Sequence, residues 1–220
     1  MSRTQVLVIT KAPVPGRSKT RLSPPCTPDQ AAGIAAAAVG DTLDTVRAAP
    51  VAGRVVALDG HPGLLDLDGF RVVPQVAGDL GIRLAAAFAD AMADGPVPTL
   101  LIGMDTPQVT AELLARCAGL LESAGAGGAV LGTAPDGGWW ALGLHSAEPA
   151  AVLASVPTSR DDTAVRTREA LEATGLTVLD LPELTDIDHF PDALAVAGEC
   201  PPSSRTSRVV ASVACALELV

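Results

Sequence analysis

Short apolar runs alternate along this chain with longer segments in which apolar residues recur every three or four positions. The short runs are rich in Val, Leu and Ile and are bounded by Gly, Pro or Asp, which is typical of buried strands. Strands are predicted over residues 5–10, 53–60, 70–75, 97–105, 126–134, 139–144 and 176–182. Helices are predicted over residues 28–49, 79–93, 109–123 and 161–174, with two more from about residue 191 and over residues 209–220.

Alternating strands and helices predict an α/β fold with a doubly wound sheet. The run VPTLLIGMD at 97–105 is almost continuously apolar, as expected for a strand covered on both faces of a parallel sheet. The tight turn PDGG at 135–138 is followed by WWALGL, which predicts one strand that returns antiparallel. We therefore predict a mixed, mainly parallel, Rossmann-like sheet with helices on both faces. Residues 1–198 would form one domain, and residues 199–220 an extension that packs on it or is partly flexible.

Composition narrows the class of partner. Of the 220 residues 48% are hydrophobic but only 2% are aromatic, so the core must be built from Ala, Val and Leu. The formal net charge of -10 argues against a nucleic acid or an anionic membrane as partner. A small molecule is the expected ligand.

Cysteine spacing and the first residues bear on the compartment. Cys26, Cys117, Cys200 and Cys215 are scattered without a CxxC pair, which predicts reduced thiols rather than a zinc site or disulfides. The start MSRTQVLVIT has no signal-peptide apolar segment, and no apolar run approaches the ~18 residues of a membrane span. These features predict a soluble, cytoplasmic protein.

The segment KAPVPGRSKTRLSP at 11–24 concentrates positive charge directly after the first predicted strand. Its prolines and glycine disfavour a helix, and it carries four cations, Lys11, Arg17, Lys19 and Arg21. A solvated turn would explain such a segment in a basic protein, but this chain is acidic. We interpret the segment as a loop that binds the phosphates of a nucleotide, and we call residues 11–24 the basic loop.

Three further segments follow predicted strands: GMDTP at 103–107, DGGWW at 136–140 and DID at 186–188. Each has a purely structural alternative: an Asx turn, a hairpin turn before two core indoles, and a pair of helix N-caps. In doubly wound sheets, however, ligands bind beyond the carboxyl ends of the strands. Carboxylates there, facing a basic loop, predict a divalent ion, Mg²⁺ or Mn²⁺, that bridges a polyphosphate.

Absent motifs exclude other chemistry. The chain has no GxxxxGK[ST], no GxGxxG and no GxSxG, which argues against a Walker loop, a Rossmann dinucleotide site and a nucleophile elbow. Positioning and charge neutralisation can carry transfer reactions without a covalent nucleophile. A transferase is therefore the favoured class.

Five motifs in order resemble those of the DUF2064 family, also called transferase 1, of the A-type glycosyltransferase superfamily of nucleotide-diphospho-sugar transferases. They are KAPVPGRSKTRL, QVAGDLGIR, GMDTP, GTAPDGGWWALGL and DIDHFPDAL, and the resemblance spans about residues 5–198. Proteins of this family are often described as arsenosugar-biosynthesis glycosyltransferases. The resemblance implies the fold predicted above, a nucleotide-activated donor and a small-molecule acceptor.

The resemblance also implies roles for individual residues. Asp105 and Asp188 are similar to the metal ligands of the superfamily, although GMDTP offers a single aspartate where a DxD motif has two. Those implied to bind the nucleotide are Lys11, Pro13, Gly16, Lys19, Thr20, Arg21, Gln75, Asp79 and Arg83. Those implied to line the acceptor pocket are Asp136, Gly137, Gly138 and Trp139. Lys19, Arg21 and Asp105 are the candidate catalytic residues.

Three functions follow as hypotheses. The first is a metal-dependent glycosyltransferase that uses a nucleotide-sugar. The second is a nucleotidylyltransferase, since SKTRL at 18–22 is similar to loops of guanylyltransferases and its cations suit a triphosphate. The third is a noncatalytic nucleotide-binding homologue, because VPTSRDD at 156–162 departs from the Ser-Thr segment of many relatives.

Overall fold

Seven strands form one mixed sheet in the computed structural model, which describes residues 2–218. The strands are β1 (Gln5–Lys11), β2 (Gly53–Asp59), β3 (Arg71–Pro74), β4 (Thr99–Ile102), β5 (Gly128–Thr133), β6 (Trp139–Leu144) and β7 (Thr177–Asp180). Their order across the sheet is β3-β2-β1-β4-β6-β5-β7. β1 lies near the middle of the sheet. The basic loop that follows β1 therefore lies near the centre of the sheet edge formed by the carboxyl ends of the parallel strands.

The pairing confirms a mainly parallel sheet with one reversed strand. β1 is parallel to β2 and β4, β2 to β3, and β5 to β7, whereas β6 is antiparallel to both β4 and β5. The β5–β6 turn therefore lies at the same sheet edge as the carboxyl ends of β1 and β4. Four segments that are distant in sequence can meet there.

Helices cover both faces of the sheet, as predicted. They are α1 (Pro28–Ala48), α2 (Leu80–Ala91), α3 (Ala111–Ala124), α4 (Thr163–Glu172), α5 (Phe190–Glu199) and α6 (Arg205–Ala216). α1 and α3 bury Leu43 and Leu114 against one face, while α2 and α4 bury Phe88 and Leu171 against the other. A third apolar cluster joins α1, α5 and α6 and includes Leu22 of the basic loop.

The predicted elements are confirmed, with bounds that shift by at most three residues except at α6. Thr27 caps α1: its hydroxyl accepts from the Gln30 amide at 3.2 Å, and the Gln30 side chain accepts from the Thr27 amide at 2.7 Å. Two 3-10 segments, Thr20–Leu22 and Glu148–Ser155, were not predicted. The first lies near the end of the basic loop, after the prolines and glycine that disfavour a helix.

The C-terminal helix begins four residues earlier than predicted. Ser204 caps α6 by accepting from the Ser207 amide at 3.0 Å, and Asp41 of α1 accepts from the Thr206 amide at 2.7 Å. Val210 and Val213 are buried against α1 and α5. The stretch PPSSRTS therefore ends in a helix start that is stabilised from α1.

Two further observations concern cysteines and membranes. All four cysteines are free, in agreement with the spacing; Cys26, Cys117 and Cys200 are buried and Cys215 is exposed. Burial raises the pKa of the Cys117 and Cys200 thiols to about 11.

Among the helices of residues 2–218, none combines the length and apolar character needed to cross a bilayer.

Glu122, in α3, holds the N-terminal segment in place. Its Oε1 accepts hydrogen bonds from the Ser2 hydroxyl, the Arg3 amide, and both the amide and hydroxyl of Thr4, at 2.6 to 3.0 Å. These bonds, that from Ser2 above all, lower the pKa of Glu122 to about 2. Hydrogen bonds to the ionised form stabilise it, so the folded state favours the carboxylate.

We expect Glu122→Gln to destabilise the protein at neutral pH but not in strong acid. Because the folded pKa is lowered from 4.5 to about 2, the stabilisation is complete above about pH 4.5 and is lost as the pH falls towards 2. After allowance for solvent screening, the loss at pH 7 is about 1 kcal/mol. Urea unfolding at pH 7 and pH 3 measures it, with exposed Glu169→Gln as the control. An equal difference between wild type and Glu122→Gln at both pH values would contradict the assignment.

Candidate active site

A cleft of about 560 Å³ opens at the sheet edge where the predicted segments converge. The basic loop, residues 103–105, the 136–139 turn and residues 186–188 all contribute to its walls. The predicted residues that line it are Lys11, Lys19, Thr20, Arg21, Gln75, Arg83, Asp105, Asp136, Gly138, Trp139 and Asp188. Pro13, Gly16, Asp79 and Gly137 belong to the same segments but do not line the cleft.

The basic loop is held in shape by its own backbone. The buried Ser18 hydroxyl accepts from the Val14 amide at 3.0 Å and donates to the Ala12 carbonyl at 3.1 Å. Gly16 adopts φ +72°, which favours glycine, and Lys19 adopts a left-handed φ of 50° that is costly for a side chain. Such strain in a non-glycine residue is common at functional sites. The left-handed backbone at Lys19 sets the direction in which the Lys19 side chain extends.

Residues 184–188 continue beyond β7 in an extended path towards the end of β4. The Leu184 amide donates to the Thr133 carbonyl at 3.2 Å, and the Ile187 amide donates to the Asp105 carbonyl at 2.9 Å. Ile187 is fully buried, whereas its neighbours Asp186 and Asp188 line the cleft. Alternation along an extended backbone thus turns both carboxylates to the same side. The alternative that they cap the next helix is wrong, because the N-cap of α5 is His189.

Two ion pairs cross the cleft and join the basic loop to these carboxylates. Lys19 Nζ lies 2.9 Å from Asp105 Oδ2, and Arg21 Nη1 lies 2.8 Å from Asp188 Oδ2. Lys19 Nζ also donates to the Ile187 carbonyl. The first pair is the more buried, with only 11% of the Lys19 side chain exposed. The two candidate metal ligands are therefore each paired with a candidate phosphate ligand.

Asp186 was named only as part of the DID segment and was given no role of its own, yet it lies among the charges of the cleft. Burial first, and then the negative charges of Asp136 and Asp105, raise its pKa to about 6, while Lys19 acts in the opposite direction. Its position in DID could have indicated it, since Asp186 and Asp188 share a face of an extended segment. Two carboxylates, those of Asp105 and Asp186, therefore lie close to Lys19.

The 136–139 turn packs against the start of α4. Gly137 has φ +85°, and its carbonyl accepts from the Ala164 amide at 2.8 Å. Asp136 closes the turn by accepting from the Gly138 amide at 2.8 Å. A side chain at Gly137 would not fit, because a Cβ there would lie 1.9 Å from the Asp161 carbonyl oxygen.

The two tryptophans have different environments. Trp139 lines the cleft and its indole N–H donates to Thr167 at 3.1 Å, whereas Trp140 is buried and donates to the Pro182 carbonyl at 2.9 Å. The interpretation of both as core residues holds for Trp140 alone. Trp139 joins Ile9, Leu84 and Leu101 in an apolar floor of the cleft.

Gln75 and Arg83 line the cleft with side chains already engaged. Gln75 Nε2 donates to the Thr10 and Ala57 carbonyls at 2.8 and 2.9 Å, which fixes the ends of β1 and β2. Arg83 pairs with Asp59 at 3.0 Å and donates to the Gly78 carbonyl at 2.9 Å. Both residues support the strand ends, and the Gln75 amide group has no free nitrogen hydrogen for a ligand.

Lys11 and Arg17 line the cleft without an ion-pair partner among residues 2–218. Arg17 was counted among the loop cations but not among the predicted binding residues. Lys11 and Arg17 are thus available to bind an anion in the free protein, whereas Lys19 and Arg21 are paired with carboxylates. A polyphosphate would find positive charge in the cleft despite the acidic chain.

The residues present suit a divalent cation with few protein ligands. Asp105 Oδ1 is buried and has no hydrogen-bond partner within the described part of the chain, so it can accept an ion or an ion-bound water. In residues 2–218 no group of three or more His, Cys, Asp or Glu side chains forms a ready-made metal site. Mg²⁺ usually takes one or two carboxylates, completed by phosphates and water, which this arrangement can supply.

This fold is the nucleotide-diphospho-sugar transferase-like class of α/β protein. The chain is similar to a crystal structure from Desulfovibrio desulfuricans G20 described as a candidate nucleotide-diphospho-sugar transferase. The two are 25% identical with a TM-score of 0.84, and the match covers 99% of this chain and 97% of that one.

More distant structures share the fold at lower identity. Rv0371c from Mycobacterium tuberculosis H37Rv, in complex with manganese, is 21% identical with a TM-score of 0.56, and the match covers 89% of this chain and 98% of that one. The 2-C-methyl-D-erythritol 4-phosphate cytidylyltransferase of Thermus thermophilus is 21% identical with a TM-score of 0.52, covering 90% and 99%. None of the curated proteins matches the chain.

The family follows from the sequence itself. The profile of the family described as "Uncharacterized protein conserved in bacteria (DUF2064)" matches residues 42–160. Because the match covers more than half of the chain, the protein belongs to the DUF2064 family. The resemblance inferred from the five motifs is thereby confirmed.

Proposed function

We propose that the protein is a metal-dependent transferase with a nucleotide-activated donor, and specifically a glycosyltransferase that uses a nucleotide-sugar. The observation that supports this most is the pair of contacts Lys19–Asp105 and Arg21–Asp188 in one cleft. Alternating cations and carboxylates suit a metal–diphosphate ligand, since each phosphate charge and each metal charge finds an opposite partner. The similarity to the Desulfovibrio protein favours a sugar donor.

In the proposed reaction the sugar passes from the diphosphate to an acceptor hydroxyl. The bond between the anomeric carbon and the diphosphate oxygen breaks, the acceptor oxygen bonds to that carbon, and a nucleoside diphosphate leaves. Mg²⁺ or Mn²⁺ at Asp105 and Asp188 would neutralise charge on the departing diphosphate. Lys11, Arg17, Lys19 and Arg21 would hold the phosphate oxygens, and Asp136 would accept the hydroxyl proton.

Binding requires the two ion pairs to exchange partners. Lys19 and Arg21 would move from the carboxylates to phosphate oxygens, and Asp105 and Asp188 would take the metal instead. Only 11% of the Lys19 side chain is exposed, so moving Lys19 to a phosphate without a metal at Asp105, or the reverse, would leave a largely buried charge unpaired. Binding of the metal should therefore raise the affinity for the nucleotide, and binding of the nucleotide should raise the affinity for the metal.

A nucleotidylyltransferase is the second candidate, and the number of cations favours it. Four basic side chains on one loop suit a triphosphate donor, whose β- and γ-phosphates leave together as pyrophosphate. In that reaction the acceptor oxygen attacks the α-phosphorus, the bond to the bridging oxygen breaks, and pyrophosphate leaves. Lys19 and Arg21 would then stabilise the leaving group.

Product analysis separates the candidates. We expect the protein, with Mg²⁺ or Mn²⁺, to release nucleoside diphosphate from at least one labelled nucleotide-sugar in a panel that also includes ATP, CTP, GTP and UTP. Water as a slow acceptor is sufficient for detection. Pyrophosphate release from a triphosphate would instead favour nucleotidyl transfer. Tight binding with neither product, across a panel of small-molecule acceptors, would contradict both and favour a noncatalytic protein.

A further inference from the structure

Residues 158–160 form part of the cleft wall on the side of the 136–139 turn. Thr158, Ser159 and Arg160 all line the cleft, just before α4 begins. They belong to the segment 156–162, which leads into α4. The segment therefore contributes side chains directly to the cleft.

This segment is firmly held. The buried Thr163 hydroxyl accepts from the Arg160 amide and donates to the Pro157 carbonyl, both at 3.2 Å. Ser159 has a left-handed φ of 59°, which is costly for a residue other than glycine. The adjacent Asp161 carbonyl packs directly over Gly137. Arg160 consequently extends from a braced turn rather than from a free loop.

The Arg160 guanidinium is only weakly engaged within the protein. Its Nε lies 3.2 Å from Asp162 Oδ1, but Asp162 is bound more closely by Arg166, at 2.6 Å. Just over half of the Arg160 side chain is exposed, at 56%, and a pair this exposed contributes little. Within residues 2–218, the two terminal nitrogens of Arg160 donate no hydrogen bond. A planar fork of donors is thus available at the cleft.

We infer that Arg160 selects an acceptor that carries an anionic oxygen group, a carboxylate or a phosphate. The phosphates of the donor already have the four cations of the basic loop, whereas Arg160 lies on the acceptor side, with Trp139 and Gly138. Guanidinium binds both kinds of oxyanion through two parallel hydrogen bonds. The hydroxyls of Thr158 and Ser159 supply further donors. This inference rests on the proposed function, because only a transferase has an acceptor.

The test measures anion binding to the nucleotide-loaded protein. Wild type, Arg160→Gln and Arg208→Gln are first titrated with a nucleoside diphosphate and Mg²⁺, and then with glycerol 3-phosphate, glycerate or glycerol. We expect at least one of the two anions to bind, glycerol not to bind, and Arg160→Gln to weaken anion binding about tenfold or more. Comparison of glycerol 3-phosphate with glycerate distinguishes a phosphate acceptor from a carboxylate one.

Arg208→Gln removes the same charge from an exposed position on α6, outside the cleft, and should leave anion binding unchanged. Equal anion binding by Arg160→Gln and wild type, or no binding of either anion, would overturn the inference while the proposed function stands. A loss confined to nucleotide affinity would place Arg160 on the donor side and overturn it too. Failure of wild type to bind nucleotide would overturn both.

Discussion

Asp105→Asn is expected to change nucleotide affinity in opposite directions with and without metal. Without metal, the variant should bind nucleotide more tightly than wild type, because a carboxylate that repels phosphate and occupies Lys19 has been removed. With Mg²⁺ the order should reverse, since an amide is a poor substitute for a carboxylate ligand. We expect metal to tighten binding about 10- to 100-fold in wild type and less than about twofold in the variant. Calorimetric titration with GTP or UTP measures both conditions.

A reversal of sign separates loss of a metal ligand from general damage. A misfolded variant would lose affinity under both conditions, as would a variant whose site had collapsed. Asp90→Asn, near the end of α2, removes the same charge outside the cleft and should behave as wild type. If metal tightened nucleotide binding equally in Asp105→Asn and wild type, Asp105 would not be a metal ligand.

Gly137→Ala is expected to cause a large loss of stability. The substitution places a Cβ 1.9 Å from the Asp161 carbonyl and forces alanine into φ +85°. Unfavourable φ alone costs about 1–2 kcal/mol, and the clash must push the 136–139 turn away from α4. We expect a total loss of about 3 kcal/mol, which lowers the melting temperature by about 6–12 °C in a protein of this size. Thermal unfolding followed by circular dichroism measures it.

The matched control for this substitution is Gly119→Ala. Gly119 lies within α3, and no neighbouring atom comes within 4 Å of the position its Cβ would take. Alanine is the better helix former by about 0.5–1 kcal/mol, so this variant should be slightly more stable than wild type. Unchanged stability in Gly137→Ala would show that the turn is not packed as described.

Much of the fold could be predicted because the local pattern and the tertiary structure agree. The apolar runs form strands, as predicted. The PDGG turn correctly predicted that β6 runs antiparallel to its neighbours. The start of α6 could not be predicted in the same way, because Asp41, from a distant helix, stabilises it. The 3-10 segment Glu148–Ser155 likewise packs against α2 through Leu153, and its sequence alone has no clear periodicity.

The site could be located from the sequence but not assembled from it. The motifs at strand ends identified Asp105, Asp188 and the basic loop, since parallel strands direct their carboxyl ends to one edge. The pairing of Lys19 with Asp105 depends on the left-handed backbone at Lys19, which no motif indicates. Asp186 and Arg160 were missed for a similar reason. Their importance arises from neighbours that are distant in sequence.

We propose that the ion pairs Lys19–Asp105 and Arg21–Asp188 persist in the free protein until a metal ion and a nucleotide bind and replace both pairs together. The most direct test is electron paramagnetic resonance of Mn²⁺ titrated into the protein, with and without GTP or UTP, and corrected for Mn²⁺ bound by free nucleotide. We predict that one Mn²⁺ binds per chain when nucleotide is present and that binding is at least about tenfold weaker without it. Equal Mn²⁺ affinity in both conditions, or no bound Mn²⁺ with nucleotide, would contradict the account.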